Sequence, residues 1–440
     1  MRDQARATWE AAVAAVDPFT LVRDYLKAPH PELRRVAEHA GRIIVVGGGK
    51  AGTAMAAGVE AALADRLNRI AGVVNVPADA VRALRTIRLQ AARPVGTNQP
   101  TAAGVAGVAA MLELVRQAGP DDVGLCLLSG GGSALLPAPV EGVSLEEKQL
   151  VTRLLHACGA TIGEMNCVRK HLSRIKGGRL AEAFCVQNRS LVSLILSDVV
   201  GDPLDVIASG PTAADPTTFA DALDVLRRHD LLAQTPAAIR THLERGRDGL
   251  IPETPKSLPT GTTNLVLGNN ARALEAAQSK AQDLGWRVLN LGAFIEGETR
   301  HVATMMAGIV RSILVDGQPV RPPVCILSGG ETTVTLGPDH GRGGRNQEFV
   351  LAMLVKLGEA GLDRVVVLSG GTDGEDGPTD AAGATGDAGT LRRAHRLGLD
   401  PIHYLDRHDA YSFFDATGDL LRTGLTGTNV MDVRVVLVAG

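Results

Sequence analysis

The chain has 440 residues, 45% of them hydrophobic and 21% charged, with a formal net charge of −3. That length exceeds one ordinary hydrophobic core, so two domains are expected, and the near-neutral balance gives no sign of an extended basic face, so nucleic acid is not an expected partner. Apolar runs stay below the roughly 18 residues of a membrane span, and the amino end carries Arg2, Asp3, Arg6 and Glu10 in place of a signal-peptide block, so a cytoplasmic protein without a membrane partner is expected.

In chain order, residues 4–25 are expected to form the first helix. "RIIVVGGGKAG" then reads as a strand over 43–46 that turns through glycines into a helix over 50–64, followed by a strand over 73–76, a helix over 101–117 and a strand over 123–128. This βαβ alternation predicts an α/β fold with a doubly wound parallel sheet. Ser144 and Glu147 are spaced as a capping box at the next helix start. The strand "SLVSLILSD" leads into a loop rich in Gly, Pro and Asp over 199–218. Residues 245–263 lack periodicity and hold Pro252, Pro255 and Pro259, which places the domain boundary there: 1–245 and 246–440. Beyond it the alternation resumes, with strands expected over 265–267, 288–291, 324–327 and 365–368, helices over 271–284, 300–315 and 347–357, and "DVRVVLVAG" as the last strand. Two α/β lobes bearing glycine loops make the cleft between them the expected ligand site.

The five cysteines are widely spaced with no C-x-x-C pair, and the eleven histidines form no tight ligand spacing, so disulfides and a transition-metal site are not expected and any metal should be held by oxygen. The loops are more informative. "LCLLSGGGSALL", "CILSGGETT" and "VVLSGGTDG" each close an apolar run with Ser-Gly-Gly. One such end can be a tight turn only; three suggest backbone N–H groups arranged for an anion, from Ser129, Gly130, Gly131, Gly132 and Ser133 and from Ser328, Gly329 and Gly330. "GGGKAG" fits G-x-G-x-x-G after a strand, yet Asn75 stands where a dinucleotide site wants an acid. Nor is it a Walker A loop, since Ile44 replaces the first glycine and Ala51 the Ser or Thr. What remains is Gly48, Gly49 and Lys50 at a helix start, suited to phosphate or carboxylate. Only eight of the 45 basic residues are lysines, so a lysine kept in this loop points to a compact ammonium.

Arg169, Lys170, His171, Arg174, Lys176 and Arg179 crowd together with no acid between 166 and 180. Two readings stand: a solvated helix face, or the seat of a polyanion such as a triphosphate. Asp198 directly follows a strand, where a carboxylate can hold magnesium or accept a hydroxyl proton. Arg342 and Arg345 sit among glycines before a helix, a setting for paired hydrogen bonds to a carboxylate or γ-phosphate. Asp373, Asp376 and Asp380 follow the third Ser-Gly-Gly, and "GLTGTNVMD" closes the set. Charge-neutralising groups on glycine loops are the composition of phosphoryl transfer.

"GGGKAG", "LSGGGSALL", "NCVRKHLSRIKGGRLA", "LSDVVGDPLDVIASGPT", "LSGGETTV", "GGRNQEF", "GGTDGEDGPTDAAGA" and "GTNV", in this order and over nearly the whole chain, resemble the glycerate 2-kinases of the MOFRL-containing class, members of which also carry the label hydroxypyruvate reductase. The resemblance implies a Rossmann-like amino-terminal lobe, a smaller α/β MOFRL carboxyl-terminal lobe, and ATP-dependent phosphorylation of D-glycerate at its 2-hydroxyl to 2-phosphoglycerate, with Mg2+ or another divalent cation. It makes Lys50 and Arg345 active-site residues. In this scheme Lys50 offsets phosphoryl charge, Arg345 clamps an anion and Asp198 orients the acceptor hydroxyl or holds the metal, while Lys170 and Asp373 complete the ligand set. "RPVGTNQP", with Arg93, Gly96, Thr97 and Asn98, departs from the His-Pro-Val-Pro-acid pattern of relatives and bears on substrate choice. The alternatives are an NAD(P)H-dependent hydroxypyruvate reductase, drawn from the glycine fingerprint, and a non-catalytic module that binds phosphorylated sugars.

Overall fold

The computed structural model describes residues 1–30, 41–94, 97, 99–186 and 189–440, so Gly96 and Asn98 of the departing segment lie outside the described residues. The chain divides into two compact units, residues 18–267 and residues 1–17 with 268–440.

The first unit is built on β1 (Ile43–Gly48), β2 (Ile70–Pro77), β3 (Ile87–Arg93), β4 (Val123–Leu128), β5 (Ser190–Leu196) and β6 (Thr262–Gly268), hydrogen-bonded in the order β3-β2-β1-β4-β5-β6. Adjacent strands from β3 through β5 pair in parallel. β1, β4 and β5 are buried at every position, as uninterrupted apolar runs in a parallel sheet require. The order is that of the Rossmann fold: the chain proceeds from β1 to one side and later from β4 to the other, which opens a crevice at the carboxyl ends of β1 and β4. The edge strand β3 escaped the sequence reading, because its exposed Arg88 and half-exposed Leu89 and Gln90 leave little apolar signal.

β6, expected to open the second domain, instead closes this first sheet beside β5. The proline-rich segment before it folds back where a linker was expected: Asp215 N–H donates to Pro255 O (2.9 Å), Thr254 to Asp215 Oδ2 (3.0 Å), and Asn264 Nδ2 to Thr212 O (2.7 Å). By compactness, the break between units falls after Leu267.

The helix expected over 4–25 is two helices, Arg2–Ala14 and Pro18–Lys27. Pro18 bars the α conformation at Asp17, and the break between the units falls at that step. The first helix belongs to the carboxyl-terminal unit. Trp9, 1% exposed, donates from Nε1 to Gly370 O (3.1 Å), Thr428 donates to Val16 O (2.7 Å), and Arg2 bonds Asp387 and Asp419.

That second unit holds β7 (Arg287–Asn290), the short pair β8 (Gly297–Glu298) and β10 (Thr332–Thr333), and β9 (Val324–Gly330), β11 (Val365–Gly371), β12 (Gly383–Gly386), β13 (Leu420–Leu421) and β14 (Asp432–Val438). Its main sheet runs β13-β12-β11-β14-β9-β7 and is mixed. Only β7 and β9 pair in parallel there, and β14 lies antiparallel to both β9 and β11. The regular parallel alternation expected for this half does not hold. β14 is entered from residues 422–431, which form no helix, and an antiparallel partner needs no helical crossover. Helix Arg345–Gly361, buried along Phe349–Leu354, is central to this unit's core. Cys126, Cys167, Cys185 and Cys325 are buried free thiols, while Cys158 is free and exposed. Among the described residues no helix is long and apolar enough to cross a membrane.

Candidate active site

In the first unit the sequence-predicted loops come together at the crevice. β1 passes through Gly49 and Lys50 into helix Gly52–Ala62, and β4 passes through Ser129–Gly131 into the short helix Gly132–Leu135. The two loops are cross-bonded: Lys50 N–H donates to Gly130 O (2.8 Å) and Ala51 N–H to Ser129 Oγ (3.1 Å). Ser129 thus satisfies a helix-start donor that Ala51 cannot cap itself. The approach is close enough that a Cβ on Gly49 would stand 2.0 Å from Ser129 Oγ and 2.7 Å from its carbonyl oxygen.

This cross-bonding reassigns the glycines. Gly49 N–H is taken by Asn75 O (3.2 Å), so with Lys50 and Ala51 the first loop has no spare amide for a ligand at these three positions. Gly48 lies in β1. In the second loop, Gly130 and Gly131 N–H have no acceptor among the described residues. Gly131 adopts φ +75°, a left-handed turn that glycine takes without strain. The exposed Lys50 side chain lies over this turn, its Cγ 3.4 Å from where a Gly131 Cβ would be, with Arg93 Nη1 at 3.9 Å from the same point. Two adjacent amides, a lysine and an arginine therefore converge. Asp198 is half-buried just after β5, the neighbour of β4.

Asn75, where a dinucleotide fold would carry its ribose-binding acid, is fully buried. Its Nδ2 donates to Gly104 O (3.0 Å) and Leu135 O (2.7 Å). It staples the helix after β3 to the short helix Gly132–Leu135.

The basic cluster resolves into two parts. Lys170, proposed as a ligand contact, is 2% exposed and bound to Asp205 (3.0 Å) and Asp215 (3.3 Å). His171 bonds Glu253 at 2.9 Å. These carboxylates come from 35 to 82 residues away in the chain, which is why the local sequence read as unbalanced. Lys170 is a structural ion pair. Arg169, Lys176 and Lys148 have no carboxylate partner among the described residues.

In the second unit, Arg345 opens helix Arg345–Gly361. Its guanidinium makes a two-point contact with Asp432 (Nε to Oδ2, 2.7 Å; Nη2 to Oδ1, 3.0 Å) and touches Glu331 at 3.2 Å. Asp432 is fully buried and also accepts from Asn346 Nδ2 (2.8 Å) and Arg434 Nη2 (3.3 Å). Asp432 closes "GLTGTNVMD" and is not distinguished there by its neighbours in the chain. Its signal was the acid opening a strand whose other residues, Arg434 apart, are all apolar. Burial opposes the charge on Arg345, but Asp432, then Glu331 and Asp376, hold its pKa above the ordinary guanidinium value. Arg345 is thus a fixed group, and it borders a cavity of about 400 Å³ lined also by Val334, Leu336, His340, Pro378 and His408.

Asp376 caps the same helix from outside, accepting from Asn346 N–H (3.0 Å) and Gln347 N–H (2.8 Å). Burial pushes its carboxyl up to about 7, the Asp432 charge adding to this against the two backbone bonds and Arg345. A carboxyl raised in the folded state stabilises fully below its unfolded value of about 3.9, and that contribution is lost as pH rises toward the folded value. Relative to Asp376→Asn, the unsubstituted chain is therefore expected to lose Tm between about pH 4 and about pH 7 and then hold level. A difference constant across that window would show Asp376 ionised throughout.

The second and third Ser-Gly-Gly copies differ from the first in lying within strands, at closely packed positions. Ser328–Gly330 lies within β9 opposite Arg434, Val433 and Asp432 of β14. Gly329 N–H donates to Gly292 O (2.9 Å), and a Cβ there would stand 1.7 Å from Asn270 Oδ1. Gly330 is pressed against Ile295 O and Gly370 against Trp9. These glycines admit close packing, and of the expected backbone donors at Ser328–Gly330 the Gly329 amide is already taken. Asp373 forms a turn, its Oδ1 accepting from Glu375 N–H (3.1 Å). Arg342 stacks over Tyr411 at 4.1 Å.

Two open backbone amides at the switch point of a Rossmann-order sheet, and a mixed α/β unit with a carboxylate-locked arginine, define a two-unit α/β protein. Residues 4–244 match the family described as Domain of unknown function (DUF4147) and residues 324–432 the MOFRL family. The chain is 37% identical to the Glycerate 2-kinase of Pyrococcus horikoshii, covering 97% of this chain and 95% of that one, and 44% identical to an Agrobacterium vitis protein named "Putative hydroxypyruvate reductase" (99% and 94%). The crystal structure of a glycerate kinase from Thermotoga maritima superimposes with a TM-score of 0.88 at 35% identity over 99% of both chains. The chain belongs to the MOFRL-containing glycerate kinase family.

Proposed function

We propose that this chain is a D-glycerate 2-kinase that transfers the γ-phosphoryl group of ATP to the 2-hydroxyl, giving 2-phosphoglycerate. The observation that carries this reading is the pair of unsatisfied amides, Gly130 and Gly131, beside the Lys50 side chain at the switch point. Phosphoryl transfer asks a protein chiefly to position reactants and to neutralise charge on the migrating group, and donors fixed in advance do this without reorganisation. Lys50 is assigned to the phosphoryl oxygens. Asp198 is assigned to the acceptor hydroxyl, and Arg345, held rigid by Asp432, to a carboxylate or phosphate through its remaining N–H groups. Asp373 stays with the ligand set through its place in the turn after β11.

No group of three metal-ligating side chains is assembled among the described residues. Mg2+ is commonly held by one or two carboxylates together with substrate phosphates, so the residues fit a cation that arrives on the nucleotide, with Asp198 as its protein ligand. There it would offset phosphate charge. The reductase reading lacks its ribose-binding acid, because Asn75 is spent on backbone carbonyls. A coupled assay with ATP, Mg2+ and D-glycerate, separating 2- from 3-phosphoglycerate, tests the assignment. No turnover there, with nicotinamide oxidation by hydroxypyruvate in the absence of ATP, would replace it with the reductase.

A further inference from the structure

The turn at Ala208-Ser209-Gly210 has three consecutive residues at positive φ (+52°, +61° and +63°), two of them not glycine. Such a run persists only where its surroundings impose it. Here it is gripped from both sides. Ser209 Oγ lies 2.9 Å from Ser133 Oγ of the glycine loop and donates to Asn166 Oδ1 (2.9 Å), and a Cβ on Gly132 would stand 2.7 Å from Ala208 Cβ. Behind the turn, Lys176, 1% exposed, spends one of its three donors on Ala208 O (2.9 Å). Lys148, 6% exposed, spends one on Leu172 O (2.9 Å). Arg169 is half-buried one turn beyond Asn166 on the same helix and has no hydrogen-bond or ion-pair partner among the described residues.

Keeping three neighbouring basic groups charged without a carboxylate is costly in a protein interior, where buried charges are otherwise paired. Burial lowers the pKa of each, and the charge of Arg169 lowers both lysines further. The nearby carboxylates Asp205, Asp215 and Glu253 are committed to Lys170 and His171. A multiply charged anion would supply the counter-charge that no protein carboxylate gives this set, whereas a single carboxylate would leave most of it uncompensated.

We propose that Lys148, Arg169 and Lys176, together with Ser133 and Ser209, form a seat for the polyphosphate chain of the phosphoryl donor, next to the Gly130–Gly131 donors. This deepens the kinase reading and rests on it for the identity of the donor. The probe is inorganic tripolyphosphate without divalent cation, its binding measured by calorimetry on the full chain and on Arg169→Leu and Lys176→Met. Each substitution is expected to raise the tripolyphosphate Kd by about tenfold or more, with the KM for D-glycerate within about twofold. Lys176→Met should also keep or raise Tm in anion-free buffer, because it removes a desolvated amine. A purely structural lysine would show the reverse, a lower Tm with unchanged binding. The proposal is overturned if the unsubstituted chain does not bind tripolyphosphate, if folded Arg169→Leu binds it equally well, or if the loss appears for D-glycerate instead. Tripolyphosphate binding involves no turnover. A chain that binds it through these residues yet phosphorylates nothing would sink the kinase reading alone.

Discussion

Lys50→Ala is expected to lower kcat for glycerate phosphorylation by about a hundredfold or more, the scale of removing one donor aimed at transition-state charge, with a smaller change in KM. Its Tm should stay unchanged. The Lys50 side chain is exposed, and the loop is held by the backbone bond to Gly130 O and by Ser129, neither of which involves the ammonium. Lys50→Arg should recover little. The side chain already runs against the Gly131 turn, and a planar guanidinium does not deliver a compact charge at the same point. Steady-state kinetics on both variants, with thermal melts alongside, decide the matter. A kcat within about threefold of the unsubstituted enzyme would remove Lys50 from the chemistry.

The second large effect concerns stability. Asp432→Ala removes the carboxylate that accepts from Arg345, Asn346 and Arg434, the last of these only 1% exposed with Nε and Nη1 already lacking a protein partner. Stripping one member from a buried ion pair costs about 3–5 kcal/mol, because the charge left behind is uncompensated. With about 2–4 °C of Tm per kcal/mol for a unit of this size, the melting point should fall on the order of 10 °C. Turnover should fall as well, since Arg345 loses its two-point anchor. Asp432→Ala with Arg434→Met should regain part of the stability, the coupling expected of residues in one network. A loss below about 1 kcal/mol in chemical denaturation would mean the pair is not the keystone that its burial suggests.

Both predictions turn on how far the local sequence could be trusted. Lys50 was legible because everything that defines it is local: an apolar strand, glycines and a helix start within about ten residues. Arg345 was legible as a residue but not in its role. Its partner lies 87 residues away, and spacing alone cannot show that a fork is already filled. The three Ser-Gly-Gly ends looked alike in sequence and have two different causes. One leaves amides open. The other two clear space for Asn270, Ile295 and Trp9, whose approach is set by packing between distant elements.

By itself, then, the sequence determined the α/β class, the parallel core strands, the glycine loops and the family, because strand burial, helix periodicity and turn chemistry depend on residues close in the chain. Only the tertiary structure decided that β6 completes the first sheet, that the amino-terminal helix docks on the carboxyl-terminal unit, that Lys170 is neutralised while Lys176 is not, and that Asp432 locks Arg345. Each of these depends on which distant groups share a low-dielectric interior. There the energy of a charge is set by its neighbours in space, and chain order records them only weakly.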